Sequence, residues 1–292
     1  YAKVKGIPGA ALATSGPGGH NFVTPIGNCY YDSVPAIFIT GQINTRFMKP
    51  DESIRQIGFQ ETDIVSIVKP ITKYAVMIKD ANSIRFELEK AYHYAMSGRK
   101  GPVLIDLPIN IQKIEINPEE LRGYNNLNIN RYDENLIRKK ACEYLQDFIK
   151  SKRPVLMIGG GVKHSEAIDE FRELAGILKI PCYPTWNALD VVTSDFEYYG
   201  GRIGTYGGGV GRNFGIQNTD LLLAIGSRIS GRITGGNVSS FAREAKKYVV
   251  DVDQGLLQDH YQQVPFDINI FSDAKLFIKI LIEEASKLEK PF

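Results

Sequence analysis

Residues 11–42 contain a strand, a glycine turn, a helix and a second strand in one run, and this unit limits the possible folds more than any other stretch. A short apolar run, Ala10 to Thr14, leads into the turn Ser15 to Gly19, of sequence SGPGG. A helix is predicted from about His20 and ends before Pro35, since a proline disfavours helical geometry in the residue that precedes it. Ala36 to Thr40 then has the continuous apolar character of a strand buried in a parallel sheet.

The glycine turn is a candidate ligand site. In an open parallel sheet, ligands bind where the carboxyl ends of strands meet the amino ends of the following helices. Glycine tolerates positive φ and leaves bare backbone for a ligand to approach. The alternative is a purely structural turn, because such turns often contact no ligand. The site interpretation requires the strands at residues 10–14 and 36–40 to be parallel, with the turn at the carboxyl end.

The composition describes a globular protein with room for two domains. A chain of 292 residues can bury two cores, and 43% hydrophobic with 23% charged residues gives no sign of extended disorder. The net charge is +2 without a dense lysine or arginine patch, and no apolar run could span a bilayer, so neither nucleic acid nor a membrane is an expected partner. Three scattered cysteines in apolar contexts predict a reduced, cytoplasmic protein without a metal site.

Strands and helices alternate along the rest of the chain. Helices are predicted at Ile84 to Met96, Glu134 to Lys150 and Ser165 to Leu178. Further strands are predicted at Thr72 to Ile78, Gly101 to Leu107, Val155 to Ile158, Pro181 to Thr185, Asp220 to Ile225 and Lys247 to Val252. This α/β pattern predicts two doubly wound parallel-sheet domains, an incomplete one at residues 1–115 and a Rossmann-like one at residues 134–292, joined by a linker at residues 116–133.

The motifs of both halves resemble one family. TSGPGGHN, YYDSVPAIFITGQ, RQIGFQETDIV, VKPITKYAVMIKD and SGRKGPVLIDLP resemble, in order and spacing, the pyrimidine-binding domain of thiamine diphosphate enzymes of the acetolactate synthase group. RPVLMIGGGV, GIQNTDLLLAIGSRISGRITG and AKKYVVDVD resemble the central domain of that group. The resemblance covers nearly the whole chain, and it is closest to the acetolactate-synthase-like proteins often tied to surface-polysaccharide pathways.

The resemblance implies a thiamine diphosphate site on the first domain. The expected cofactor contacts are Gly16, Pro17, Gly18, Gly19, Asn21 and Phe59. Gln60, in the FQE turn, and His20 are the expected catalytic residues. His20 stands where the group more often has a small residue or threonine; it could handle protons there, or it could be a solvent-facing or helix-capping residue.

For the second domain, the group's precedent is flavin adenine dinucleotide, bound structurally without redox turnover. The contacts that the resemblance implies are Arg99, Gly159, Gly160, Gly161, Arg228, Arg232 and Asp251. Guanidinium groups suit a pyrophosphate, and a carboxylate at a strand end can accept a ribose hydroxyl. The chain departs from the family pattern at Ser230-Gly231, where two aspartates often precede the second arginine. The loop Gly204 to Gly209 is a candidate cover for the flavin ring, with a flexible surface loop as the alternative.

By the same resemblance, the chain is a two-domain portion of a longer enzyme. The glutamate that activates the thiamine aminopyrimidine is expected upstream of Tyr1, and the GDG signature for magnesium and diphosphate is expected after Phe292. The active site of the group forms between two subunits, which implies a homodimer or homotetramer. The isolated portion is expected to be inactive.

The activity implied by the resemblance is decarboxylation of pyruvate, a 2-oxo acid, and transfer of the remaining two-carbon unit to a second carbonyl compound, as in branched-chain amino acid biosynthesis. Ile109 follows Pro108 where acetolactate synthases usually carry a lysine, so the acceptor is open. One alternative is addition of an acetyl unit to a keto-sugar nucleotide, and another is a non-catalytic nucleotide-binding module. A dehydrogenase is disfavoured, because no glycine fingerprint precedes a helix with a suitably placed carboxylate.

Overall fold

A computed structural model describes residues 1–125, 132–206, 209–258 and 263–288. The chain divides into two units, Tyr1–Asn128 and Ile129–Phe292. The division falls within residues 116–133; the domain limits and the linker inferred from the sequence stay predictions.

The first unit is organised around a four-stranded sheet in which all neighbouring strands are parallel. The strands, in chain order, are β1 (Gly9–Ala13), β2 (Ala36–Gln42), β3 (Tyr74–Met77) and β4 (Pro102–Pro108). They lie in the order β1-β2-β4-β3. Gly9 pairs with Ala36 and Ala13 pairs with Thr40. The predicted parallel pairing of the first two strands is therefore confirmed, and the glycine turn follows the carboxyl end of β1.

The helix predicted to begin near His20 is interrupted. The α-helices of the first unit are α1 (Ala2–Lys5), α2 (Pro17–His20), α3 (Val23–Tyr31), α4 (Ile64–Val68), α5 (Ile84–Met96) and α6 (Ile109–Gln112). Asn21 and Phe22 separate α2 from α3. Pro25 accounts for the break, because it has no amide hydrogen to donate to the carbonyl oxygen of Asn21.

Helix α5 has the predicted bounds and faces the sheet through Ala91 and Ala95, which are fully buried. Leu88, an apolar residue for which an amphipathic helix would favour the inward face, is instead 38% exposed. Glu89 on this helix accepts a hydrogen bond from the backbone N–H of Tyr124 at 2.6 Å. The chain that follows α6 is thus attached to α5 of the same unit.

The second unit contains a five-stranded sheet, again with every neighbouring pair parallel. Its strands are β5 (Pro154–Ile158), β6 (Cys182–Pro184), β7 (Leu221–Ile225), β8 (Lys246–Asp251) and β9 (Ile268–Phe271), in the order β6-β5-β7-β8-β9. Its α-helices are α7 (Glu134–Lys150), α8 (Gly161–His164), α9 (Ile168–Leu178), α10 (Val210–Gln217), α11 (Gly231–Thr234) and α12 (Ala274–Ala285). The α/β class with two parallel sheets is confirmed, while β9 and α10 are additional to the predicted elements.

Alternate residues of β5 enter two separate cores. Leu156 and Ile158 pack with residues of α7, α9 and α12. Val155 and Met157 belong to the second core, which includes Ile216 of α10. Successive side chains of a strand point to opposite faces of the sheet, and burial of both faces explains why the run PVLMI is apolar throughout. In the described part of the chain, no helix is both long and apolar enough to cross a membrane.

Two buried tyrosines of the second unit provide a matched test of this core. Tyr144 is fully buried, and its hydroxyl has no hydrogen-bond partner among the described residues. Tyr248 is equally buried, but its hydroxyl donates to Asp147 Oδ2 at 2.5 Å. We expect Tyr144→Phe to leave the free energy of unfolding unchanged or to raise it. Tyr248→Phe should lower it by about 1–3 kcal/mol, because it removes a hydrogen bond to the charged Asp147 carboxylate, which keeps its ion pair with Lys246 at 2.7 Å. Chemical denaturation would measure the free energy of unfolding of both variants. Equal losses would contradict the conclusion that only the Tyr248 hydroxyl forms a hydrogen bond.

Candidate functional site

The glycine turn packs directly against the FQE turn. Gly16 has a φ of +63°, in the left-handed region that favours glycine. A side chain at Gly16 would meet the Cβ and the carbonyl oxygen of Gln60, each at 2.9 Å. A side chain at Gly18 would meet Thr14 Cγ2 at 2.8 Å. The fold therefore requires glycine at position 16 and brings Gln60 to the carboxyl end of β1, whereas a side chain at position 18 would require Thr14 to shift.

Gln60 has an unusual backbone conformation and an available side chain. Its φ is +62°, which costs a residue with a side chain roughly 1–2 kcal/mol. Within the part of the chain that the structure describes, no residue hydrogen-bonds its side-chain amide. Phe59 beside it is 86% exposed. Both residues can therefore meet a ligand, although their contact with a cofactor stays a prediction.

Glu61 holds the loop that carries these two residues. Its carboxylate accepts hydrogen bonds from the backbone N–H groups of Lys49 at 2.6 Å, Ile57 at 2.9 Å and Gly58 at 3.3 Å. Partial burial raises the pKa of Glu61, but the three donors and the nearby Lys49 ammonium outweigh it and hold the pKa below its usual range. The Glu61 carboxylate therefore stays charged and closes residues 49–61 into a loop.

A buried polar network lies behind the FQE turn, at the carboxyl ends of β2 and β4. Asp106 is 1% exposed, and its two oxygens accept hydrogen bonds from Thr40 Oγ1 at 2.6 Å and from Gln42 Nε2 at 2.9 Å. Gln42 Nε2 also donates to the carbonyl oxygen of Thr62 at 2.7 Å. Burial raises the pKa of Asp106 to about 6, against the lowering effect of both hydrogen bonds and with a further increase from Asp63.

Sequence reasoning missed this network. A carboxylate inside the apolar run PVLIDLP was an available signal, because a buried charge requires compensating hydrogen bonds. Its partners could not be found from spacing, since Thr40 and Gln42 are 66 and 64 positions away from Asp106.

The other predicted residues of the first unit lie in two places. Residues 17–21 form α2 and its carboxyl end, and His20 is exposed there. This exposure agrees with the solvent-facing interpretation of His20, and proton handling stays untested. Arg99 follows α5, and its Nε donates to Ser33 Oγ at 2.9 Å. A contact between Arg99 and a ligand of the second unit remains a prediction.

In the second unit, Gly159 and Gly161 follow β5 and pack against Gly226, which follows β7. Their N–H groups donate to the carbonyl oxygens of Ile225 and Gly226, at 2.9 and 3.0 Å. A side chain at Gly161 would lie 2.6 Å from the Cα of Gly226, and one at Gly159 would overlap its carbonyl oxygen. Close approach of two backbones explains these glycines without a ligand, so flavin contact through Gly159, Gly160 and Gly161 stays a prediction.

A cavity of about 610 Å³ opens next to the loops that follow β6 and β7. Its lining residues are Trp186, Thr205, Tyr206, Gly231, Arg232, Gly235 and Gly236. The Arg202 guanidinium stacks on the Trp186 ring at 4.3 Å. The volume is that of a small-molecule pocket, and aromatic rings beside a guanidinium suit a planar, anionic ligand. Thr205 and Tyr206 come from the predicted covering loop, of which Gly207 and Gly208 lie outside the described residues.

Arg228 and Asp251 are not among the residues that line this cavity. Arg228 is exposed, whereas Asp251 ends β8 and its carboxylate accepts the backbone N–H of Asp253 at 2.9 Å. Between the two predicted arginines, Ile229 is buried with a φ of +48°, a strained conformation for a β-branched residue. Contact of Arg228 and Arg232 with one flavin stays a prediction.

The described residues include no group of three or more histidine, cysteine, aspartate or glutamate side chains placed to hold a metal ion. Three carboxylates in or near the FQE turn already accept hydrogen bonds within the protein, Asp106 from Thr40 and Gln42, Glu61 from backbone N–H groups, and Asp63 from Ser66. The described residues therefore do not fit the magnesium ion that the resemblance implies.

Two family models match the chain. The model described as "Thiamine pyrophosphate enzyme, N-terminal TPP binding domain" matches residues 1–67. The model described as "Thiamine pyrophosphate enzyme, central domain" matches residues 139–281. The chain belongs to the thiamine pyrophosphate enzymes and carries these two domains.

Within that family, the chain is similar to acetolactate synthase large subunits. Over 99% of its length it is 36% identical to the acetolactate synthase large subunit of Corynebacterium glutamicum, of which it covers 45%. Over 99% of its length it is 35% identical to the probable acetolactate synthase large subunit of Methanocaldococcus jannaschii, of which it covers 47%. It is 32% identical, over 87% of its length, to the acetolactate synthase isozyme 2 large subunit of Escherichia coli, of which it covers 44%. The chain thus spans about half the length of these curated relatives.

The buried Asp106 predicts how the stability of the first unit changes with pH. Its pKa is about 6 in the folded protein and near its ordinary value of 3.8 in the unfolded chain, so the folded state binds the proton more tightly. The resulting stabilisation is complete below pH 3.8 and is lost as the pH rises through about 6. At about 1.4 kcal/mol for each pKa unit, it amounts to roughly 3 kcal/mol.

Hydrogen exchange of the β2 and β4 amides between pH 4 and 7 measures this stabilisation. The comparison is with Asp106→Asn, whose side chain cannot titrate. We expect the unsubstituted protein to gain stability over the variant as the pH falls. Thr40→Val removes a hydrogen bond that favours the charged carboxylate, and it should shift the transition to higher pH. A difference that does not vary with pH would show that Asp106 stays charged throughout.

Proposed function

We propose that this chain is part of a thiamine diphosphate-dependent enzyme that decarboxylates pyruvate and joins the remaining two-carbon unit to a second carbonyl compound. The observation that carries the proposal is the packing of Gln60 against Gly16 at the carboxyl end of β1. This contact joins the two motifs from which the cofactor site was expected. The names of the relatives, which are acetolactate synthases, support the same reaction class.

The residues of the glycine turn and the FQE turn fit the pyrimidine ring of the cofactor. The Gln60 amide can both donate and accept hydrogen bonds, and Phe59 offers an exposed aromatic ring. When bound, thiamine diphosphate supplies the electron sink for breaking the bond between the 2-oxo carbon and its carboxylate. Gln60 and the turn would bind and orient the ring, and magnesium would be held by residues other than those described.

A compound other than pyruvate is a second candidate for the acceptor of the two-carbon unit. Ile109 is 41% exposed at the start of α6, directly after the carboxyl end of β4. An apolar side chain at this edge of the sheet offers no charge to a second pyruvate carboxylate. This favours an acceptor whose reacting carbonyl is not next to a carboxylate, such as a keto-sugar nucleotide.

In the second unit, the cavity around Arg232 and Trp186 is the proposed site of flavin adenine dinucleotide. The guanidinium would meet the pyrophosphate, and the aromatic side chains would pack on a ring of the flavin nucleotide. The proposed partner of the first unit is a second copy of the chain, in a homodimer or homotetramer. Leu12, Tyr31 and Ile57 support this, because each is more than half exposed. The free cysteines suit a reducing, cytoplasmic compartment.

A matched pair of glycine substitutions in the full-length protein tests the cofactor site. Gly16→Ala adds a methyl group against Gln60 at a φ of +63°, and we expect at least about tenfold weaker binding of thiamine diphosphate. Gly27→Ala lies in α3, where the added methyl meets only Ile71 Cδ1 at 3.9 Å, so binding should be unchanged. Calorimetric titration with magnesium present measures the affinity, and pyruvate consumption measures the activity.

Circular dichroism would confirm that both glycine variants are folded. Equal affinities for Gly16→Ala and Gly27→Ala would place the cofactor elsewhere. Absence of thiamine diphosphate binding and of pyruvate consumption by the unsubstituted full-length protein would overturn the proposed function.

The flavin site is testable with two arginines of the second unit. Arg232 lines the cavity, whereas Arg243 donates to Asn218 Oδ1 at 2.9 Å and does not line it. We expect Arg232→Gln to lower the flavin content of the purified full-length protein and Arg243→Gln to leave it unchanged. Absorbance of the flavin released on denaturation gives the stoichiometry. A flavin-free unsubstituted protein, or equal content in both variants, would refute this site.

A further inference from the structure

Gln42 connects the buried end of β2 to the FQE turn through a single amide group. Its Nε2 donates one hydrogen bond to Asp106 Oδ2 at 2.9 Å and one to the carbonyl oxygen of Thr62 at 2.7 Å. Its Oε1 accepts the backbone N–H of Ile43 at 2.9 Å. Both donors and the acceptor of the amide are therefore used inside the protein, and the side chain has one orientation that satisfies all three bonds.

Asp106, one of the partners of this amide, is a buried carboxylate without a cationic partner among the described residues. Asp106 forms no ion pair with a lysine or arginine in the part of the chain that the structure describes, and a hydroxyl and an amide are its compensating partners. Burying an ionisable group in this way is unfavourable unless its hydrogen bonds are kept. Asp106 thus fixes the Gln42 amide strongly, because losing that bond would leave the carboxylate underbonded.

The FQE turn, which Gln42 holds, has a strained backbone and depends on such contacts for its conformation. Gln60 lies two residues before Thr62 and has a φ of +62°, which residues with side chains rarely adopt. On its other side the turn is closed by Glu61, whose carboxylate accepts the N–H groups of Ile57 and Gly58. Gln42 attaches the turn to the sheet, whereas Glu61 closes the loop that contains the turn.

We propose that Gln42 is a positioning residue, which sets Gln60 against the glycine turn by holding the Thr62 carbonyl, with Asp106 as its buried anchor. The effect on catalysis rests on the proposed function, since Gln60 is expected to meet the cofactor. The effect on the turn itself does not depend on any activity. Gln42 is buried, so it acts through Gln60 and does not touch the substrate.

Gln42→Met in the full-length protein is the direct test, with Gln112→Met as its matched control. Methionine keeps the length of glutamine but donates no hydrogen bond. Gln112 Nε2 donates to the carbonyl oxygen of Leu107 at 2.6 Å, at the carboxyl end of β4, and it bonds no residue of the FQE turn. Hydrogen exchange of residues 57–62 reports the turn, and steady-state kinetics with pyruvate reports the site.

We expect Gln42→Met to speed amide exchange in residues 57–62 by about tenfold or more and to lower kcat/KM by about tenfold, each corresponding to about 1.4 kcal/mol. The central amides of β2 and β4 should lose less protection than residues 57–62, because the turn loses its attachment to the sheet in addition to the buried bond. Gln112→Met should leave both the turn and the kinetics unchanged. Unchanged exchange in residues 57–62 of Gln42→Met, or equal effects of the two substitutions, would overturn the proposal.

If Gln42→Met does not fold, a measurement on the unsubstituted protein tests the positioning role of Gln42 instead. The N–H groups of Ile57 and Gly58 should then exchange with protection close to that of Gly41 and Gln42 in β2, because the turn opens only with the strand end. Exchange as fast as in the exposed residues 51–56 would overturn the proposal. A protected turn in a protein without pyruvate consumption would instead reject the proposed function and leave the positioning role standing.

Discussion

Parallel pairing of β1, β2 and β4 is the constraint on which the first site depends. Because these strands run in one direction, their carboxyl ends meet at one edge of the sheet, where the glycine turn, Gln42 and Asp106 all lie. The FQE turn is then fixed from two directions, by Glu61 within its own loop and by Gln42 from the sheet. The contact between Gly16 and Gln60 follows from that double attachment.

The second unit uses the same parallel arrangement for a different result. At the ends of β5 and β7, glycines allow two backbones to touch, and the space that a ligand could occupy is taken up by the protein. The open volume lies instead in the loops that follow β6 and β7, around Trp186 and Arg232. Glycine after a strand is thus consistent with either a ligand site or close packing within the protein, and the segment that packs against the glycine distinguishes the two.

The sequence predicted what depends on local periodicity and on turn chemistry. Helices at Ile84–Met96 and Glu134–Lys150 have their predicted bounds, because long amphipathic repeats are a strong signal. The break between α2 and α3 was missed although Pro25 causes it. The link between Gln42 and Asp106 was beyond reach, since it joins strands that only the tertiary fold brings together. The family motifs located the FQE turn, but not what holds it.

The bond between Gln42 and Asp106 also has an evolutionary consequence. Replacing either residue alone leaves a buried polar group with one hydrogen bond fewer, at a cost of roughly 1–3 kcal/mol. Replacing both with apolar residues would still leave the buried Thr40 hydroxyl and the Thr62 carbonyl without these partners. We therefore expect descendants to retain Thr40, Gln42 and Asp106 together, as one unit of inheritance.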